Sequence, residues 1–96
     1  MATGENIDQR LKRIKPVLQE KYHVSKIGYF GSYAREKQTE ESDIDILVEF
    51  SKPIGLEFVS VKEYLEQELN RKVDLVTERA LKPQLKESIL REVIYK

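Results

Sequence analysis

From Asp43 to Phe50 the sequence alternates. Ile44, Ile46, Val48 and Phe50 fall on one side of an extended chain; Asp43, Asp45, Leu47 and Glu49 fall on the other. Such a run is a strand with one face against a core. It constrains the chain more than any other segment, because its apolar face requires helices to cover it. The opposite face carries two carboxylates at i and i+2, with Cα atoms about 7 Å apart. Like charges at that spacing repel, and either a bound cation or water relieves the repulsion. The pair alone therefore fits a metal site or a solvated strand edge.

Aspartate usage narrows the choice. The chain has 17 acidic residues, but Asp occurs only as Asp8, Asp43, Asp45 and Asp74. Surface charge elsewhere is Glu. Asp8 falls in the first turn of a predicted helix, where negative charge suits the dipole. The other three fall at predicted strand positions, where Asp is depleted. Short carboxylates on rigid strands suit a hard cation. Separated from Asp43 by ten residues, Gly31-Ser32 ends an apolar stretch. Without a Cβ, Gly31 lets a phosphate approach the backbone. Ser32 supplies a hydroxyl and opens a short predicted helix through about Glu36, whose free N–H groups attract anions. Taken singly, Gly-Ser is an ordinary turn and Asp74 an outward-facing strand residue. Taken together, they are the parts of a metal-dependent site for a nucleoside triphosphate.

The chain is 96 residues long, enough for one domain with one modest core and no separate substrate domain. Positive and negative charges balance at 17 each, which argues against nonspecific nucleic-acid binding. No cysteine is present, so a disulfide framework and a thiolate metal site are both excluded. Apolar runs stop at three residues, too short for a transmembrane helix, and no signal-peptide core is visible. A cytoplasmic protein is expected.

Residues 1–5 are expected to be disordered and Asn6 to cap a helix with Ile7, Leu11, Ile14 and Leu18 inward. Pro16 should kink or divide that helix. A strand from Val24 to Phe30 leads into Gly31-Ser32, and a polar loop from Lys37 to Ser42 leads to the strand at Asp43. A helix from Leu56 to Leu69 buries Phe58, Val61, Leu65 and Leu69 and breaks at Asn70-Arg71. Lys72–Thr77 is a third strand. Pro83 starts a last helix with Leu85, Ile89 and Val93 inward, and Val93–Tyr95 has an edge strand as its alternative. The order reads α-β-α-β-α-β-α around one core.

Phe30-Gly-Ser-Tyr-Ala-Arg35, Ser42-Asp-Ile-Asp-Ile-Leu-Val-Glu49 and Arg71-Lys-Val-Asp-Leu-Val-Thr77 together resemble the minimal nucleotidyltransferases of the DNA polymerase β-like superfamily. The resemblance extends from the first helix to Ile89–Tyr95. It departs at Glu36, where the family pattern has Gly after Arg35. It implies an α+β fold, a small mixed sheet with helices packed on one face. It also implies a triphosphate on Gly31 and Ser32, and two Mg²⁺ held by Asp43, Asp45 and Asp74, which are then the catalytic carboxylates. The implied reaction moves a nucleoside monophosphate, with AMP from ATP as the expected case, onto a hydroxyl. Stand-alone members resemble antitoxins that modify a tyrosine of a small helical HEPT partner, so a homo- or hetero-oligomer is expected. The rivals are a nucleotide- or partner-binding subunit without turnover and a cation-binding regulator. Arg35 can reach a phosphate or pair with Glu36, Glu40 or Glu41. Core packing is expected of Tyr29 and Tyr33, solvated capping of His23, and turn-fixing of Ser42.

Overall fold

The apolar repeat at Ile7, Leu11, Ile14 and Leu18 forms one helix, α1 (Ile7–Tyr22), in the computed structural model, which describes residues 7–35, 37–39 and 42–96. The expectations for residues 1–5, for Asn6 as a cap and for Glu36 lie outside the described residues. Pro16 does not divide α1. It sits on the exposed side, where losing one backbone bond is offset by burial of Leu11, Ile14 and Leu18 opposite. His23, with φ 60°, ends the helix in the left-handed region, and its carbonyl accepts the Ser51 N–H at 2.8 Å.

The strands are β1 (Val24–Phe30), β2 (Ile44–Phe50), β3 (Val73–Thr77) and β4 (Ile94–Tyr95). They form one sheet in the order β3-β2-β1-β4. β1 is antiparallel to β2 and β4, whereas β2 and β3 run parallel. A parallel pair needs a crossover, and α2 (Glu57–Leu69) supplies it. Asn70, at φ 55°, turns the chain out of α2 in the left-handed conformation that Asn tolerates. The last helix, α3 (Pro83–Glu92), follows a 3₁₀ turn at Glu78–Ala80. The observed order is α-β-β-α-β-α-β. No helix follows Gly31-Ser32 among the described residues, and the chain closes on a strand.

The sheet is mixed and α1 and α2 cover one face, the α+β architecture expected. Leu11, Ile14 and Leu18 of α1 and Val61, Leu65 and Leu69 of α2 pack on Ile27, Tyr29, Ile44, Ile46, Val48, Val73 and Leu75. Tyr33 packs against the edge of this cluster. Tyr29 is buried, and its hydroxyl donates to Asp8 at 3.1 Å. Asp8 also pairs with Lys96 at 2.5 Å, so it ties α1 to the end of the sheet. That hydrogen bond to Lys96 is the main reason its carboxyl titrates below the usual range.

The inward face expected of α3 is only partly realised. Ile89 and Val93 are half-buried, Leu85 is 51% exposed, and no residue of α3 is buried. The core face is already occupied by α1 and α2, so the end of α3 meets the other side of the sheet. There, a Cβ built on Gly28 would lie 2.8 Å from Val93 Cγ1 and 2.8 Å from the Ile94 carbonyl oxygen. The missing side chain at Gly28 is what lets β4 close on β1. Among the described residues no helix is long and apolar enough to cross a membrane.

Candidate active site

The alternation of β2 fixes which way its carboxylate points. With Ile44, Ile46 and Val48 buried in the core, Asp45 must face the opposite side. Two register pairs then decide its neighbours. Phe30 lies across from Asp45 on β1, so Gly31 leaves the sheet beside it. Asp74 lies across from Asp45 on β3. Residues in register on adjacent strands share a face. The fold therefore brings together the turn, the second carboxylate of the pair and the third carboxylate. Asp43 is exposed and directly precedes β2, which begins at Ile44 rather than at Asp43. Ser42 holds the approach to it by accepting the Thr39 N–H at 2.8 Å.

Gly31 is the tightest point of the site. Its φ is +73°, and a Cβ placed on it would lie 2.1 Å from Asp45 Oδ2. The Asp45 carboxylate thus occupies the space that a side chain at residue 31 would need. Beyond Gly31 the chain makes a hydrogen-bonded turn instead of the predicted helix. Arg35 N–H donates to the Gly31 carbonyl at 3.1 Å, and Lys37 N–H donates to the Ser32 carbonyl at 2.8 Å. The reach of five residues in the second bond widens the turn, so no helical ladder continues from it. The groups of positive potential on this turn are its amides and Arg35, not a helix terminus. Ser32 is half-buried beside Gly31.

The electrostatics centre on Asp45. Its carboxyl is raised above the ordinary value near 3.8, first by burial and then by the negative charges of Asp74 and Asp43; a hydrogen bond with Asp74 adds to this, and Arg35 opposes it. Negative charge is thus concentrated where the strands meet. These groups are oxygen donors whose mutual repulsion outweighs the opposing charge of Arg35, the chemistry of a hard-cation site. Among the described residues, however, no three Asp, Glu, His or Cys side chains converge closely enough to hold an ion by themselves. Mg²⁺ is commonly held by one or two carboxylates together with substrate phosphates, and an open donor set of this kind fits that use.

Glu49 shares the Asp45 face but serves the fold, accepting the Glu78 N–H at 3.0 Å. A residue not anticipated from the sequence does reach the site. Glu92, in the last turn of α3, accepts the Gly31 N–H at 3.2 Å and pairs with Arg35 at 3.0 Å. Arg35 therefore has a partner 57 residues away. Nothing in the sequence marks Glu92, because Glu is this chain's ordinary surface charge.

Residues 11–96 match the model of the family described as nucleotidyltransferase domain. A Methanocaldococcus jannaschii protein, MJ0128, is 50% identical over 97 residues, which span 99% of each chain. Protein adenylyltransferase MntA of Thermococcus cleftensis is 45% identical over 99% of this chain and 97% of its own. Among solved structures, one described as a minimal nucleotidyltransferase superposes with a TM-score of 0.77 at 35% identity, covering 96% of this chain and 97% of its own. A toxin–antitoxin crystal structure with AMP-PNP gives a TM-score of 0.71 at 26% identity, over 90% of this chain and 70% of its own.

Proposed function

Because the chain belongs to the nucleotidyltransferase domain family, we propose that it transfers AMP from ATP to a hydroxyl of a partner protein. The observation that carries this reading is the packing of Asp45 against Gly31, with Asp74 in register beside it. A turn that can take phosphate and the acidic patch are thereby one surface. The protein adenylyltransferase name of the Thermococcus relative supports AMP and a protein acceptor. The toxin–antitoxin neighbour with AMP-PNP supports ATP as donor and a toxin as partner. We take that partner to be a small helical HEPT-type protein presenting a tyrosine, in a hetero-oligomer, and the setting to be the cytoplasm, where ATP is supplied. The 96 residues then act as a single catalytic domain, and the acceptor side of the cleft is built by the partner.

In this reading Gly31 and Ser32 hold the β and γ phosphates through backbone N–H groups and the Ser32 hydroxyl. Asp43, Asp45 and Asp74, together with the nucleotide's phosphates, would hold Mg²⁺, and the bound metal would supply positive charge as the acceptor hydroxyl oxygen bonds to the α-phosphorus and the bond to the departing pyrophosphate breaks. Asp43 and Asp45, on one strand and its entry, orient the donor end. Asp74, exposed on the neighbouring strand, faces the acceptor and takes the proton of its hydroxyl. Little covalent help is needed, since this chemistry depends mainly on positioning and charge neutralisation.

The test uses α-labelled ATP, Mg²⁺ and the partner, with mass spectrometry of the modified residue. Asp74→Asn should retain ATP·Mg²⁺ affinity and lose at least about 100-fold in transfer, the low end of general-base help. Asp43→Asn and Asp45→Asn should lose both. Equal ATP affinity with Mg²⁺ and with chelator would refute the metal-dependent site. Tight binding with no transfer to any partner hydroxyl would leave a nucleotide-binding subunit instead.

A further inference from the structure

Glu92 is the one carboxylate from α3 seen on the Gly31–Arg35 turn, and it engages both of the turn's anion-attracting groups. Oε2 accepts the Gly31 N–H at 3.2 Å. The same carboxylate holds Arg35 Nη1 at 3.0 and 3.3 Å. Its position is not explained by stability. The Arg35 side chain is 55% exposed and that of Glu92 26% exposed, and a solvated ion pair of this kind stabilises little. Glu92 instead engages the turn that borders Asp45, since Gly31, whose N–H it takes, is the residue against which the Asp45 carboxylate packs.

We propose that Glu92 is a resident anion in the phosphate seat of the turn, displaced when a nucleotide's phosphate takes the Gly31 N–H and Arg35. This rests on reading residues 31–35 as the phosphate turn. A carboxylate and a phosphate oxygen have the same needs: a backbone N–H and a guanidinium donor. Holding them in advance keeps the turn preformed while the site is empty. Release of Glu92 frees the last turn of α3, and the next residues are those that close the sheet. Val93 packs over Gly28, and Ile94 and Tyr95 pair with β1. Occupancy of the nucleotide site is thus communicated to the end of α3 and to β4.

Glu92→Gln keeps the size and an acceptor for Gly31 while removing the charge. The probes are tripolyphosphate and ATP·Mg²⁺, titrated calorimetrically into wild type and variant. The variant should bind both about tenfold more tightly, as expected when a competing charge leaves the seat. Wild type and variant binding with equal affinity, or the variant binding more weakly, would overturn the proposal and leave the phosphate turn standing. No binding by either protein would overturn both readings. If the variant does not fold, wild-type NMR decides. Saturating tripolyphosphate should shift the Glu92 carboxylate carbon and the Gly31 amide together. An unmoved Glu92 carboxylate overturns the displacement.

Discussion

Replacing Gly31 by alanine should damage the fold and the site through one contact. The backbone at Gly31 has φ +73°, a region that costs an L-residue roughly 1–3 kcal/mol. The new Cβ would lie 2.1 Å from Asp45 Oδ2, whereas ordinary contact begins at 3.4 Å, so the carboxylate must retreat by at least 1.3 Å. Overpacking of this kind costs about 1–3 kcal/mol. The total expected loss is about 2–6 kcal/mol, a large part of the roughly 5–15 kcal/mol that holds a domain folded. A misplacement of about 1 Å at a reacting group also costs about 100-fold in rate. The assay is urea denaturation of wild type, Gly31→Ala, Asp45→Ala and the double variant. Removing the Asp45 side chain should remove the clash and leave only the backbone strain. The cycle should therefore show a coupling of about 1–3 kcal/mol. A coupling below about 0.5 kcal/mol, within ordinary additivity, would refute the claim that Asp45 occupies the place of a side chain at residue 31.

Asp45→Asn should stabilise the protein near neutral pH while abolishing transfer. The folded-state carboxyl is raised above 3.8, chiefly by burial and then by Asp74, so the unfolded chain ionises first as pH rises. Stability from this group falls between the unfolded and folded pKa values and stays low above them. A like-charge sheet pair is worth about 0.2–1 kcal/mol, so the variant should melt higher by at most about 4–8 °C at pH 7. The gain should vanish below pH 3.8, and a gain independent of pH would count against the charge explanation. Gly28→Ala should detach β4, because the new Cβ meets the Ile94 carbonyl at 2.8 Å. A loss of about 1–3 kcal/mol and of amide protection at Tyr95 is expected, and full protection at Tyr95 would contradict it.

The site was more legible in the sequence than the path of the chain around it. The period-2 pattern of residues 43–50 fixes the face on which Asp45 stands, and apolar neighbours place Asp74 on a strand. The parallel register that sets those two side by side depends on how α2 docks, which no local pattern encodes. Local signals also misled where tertiary contacts compete. Ser32 has the residue type of a helix cap, but the Arg35 and Lys37 N–H groups bond back to the Gly31 and Ser32 carbonyls and the chain turns instead. Pro16 breaks helices by rule, yet it faces solvent on a helix anchored by its other side. Leu85 has the spacing of a core residue, but the core face was already covered. Glu92 had no local signal, since its partners lie 57 and 61 residues away.

The strand order puts β3 at the margin of the sheet, with one row of backbone groups unpaired by any other strand described here. Such a margin invites another chain to add a strand, and proteins guard it by brevity and charge. β3 is five residues long, and its second residue is an exposed carboxylate, Asp74. The residue assigned to the acceptor thus also repels strand-to-strand self-association. Neutral substitutions at Asp74 remove a guard along with the proposed proton acceptor. Preparations of Asp74→Asn belong under light scattering before a lost activity is ascribed to chemistry.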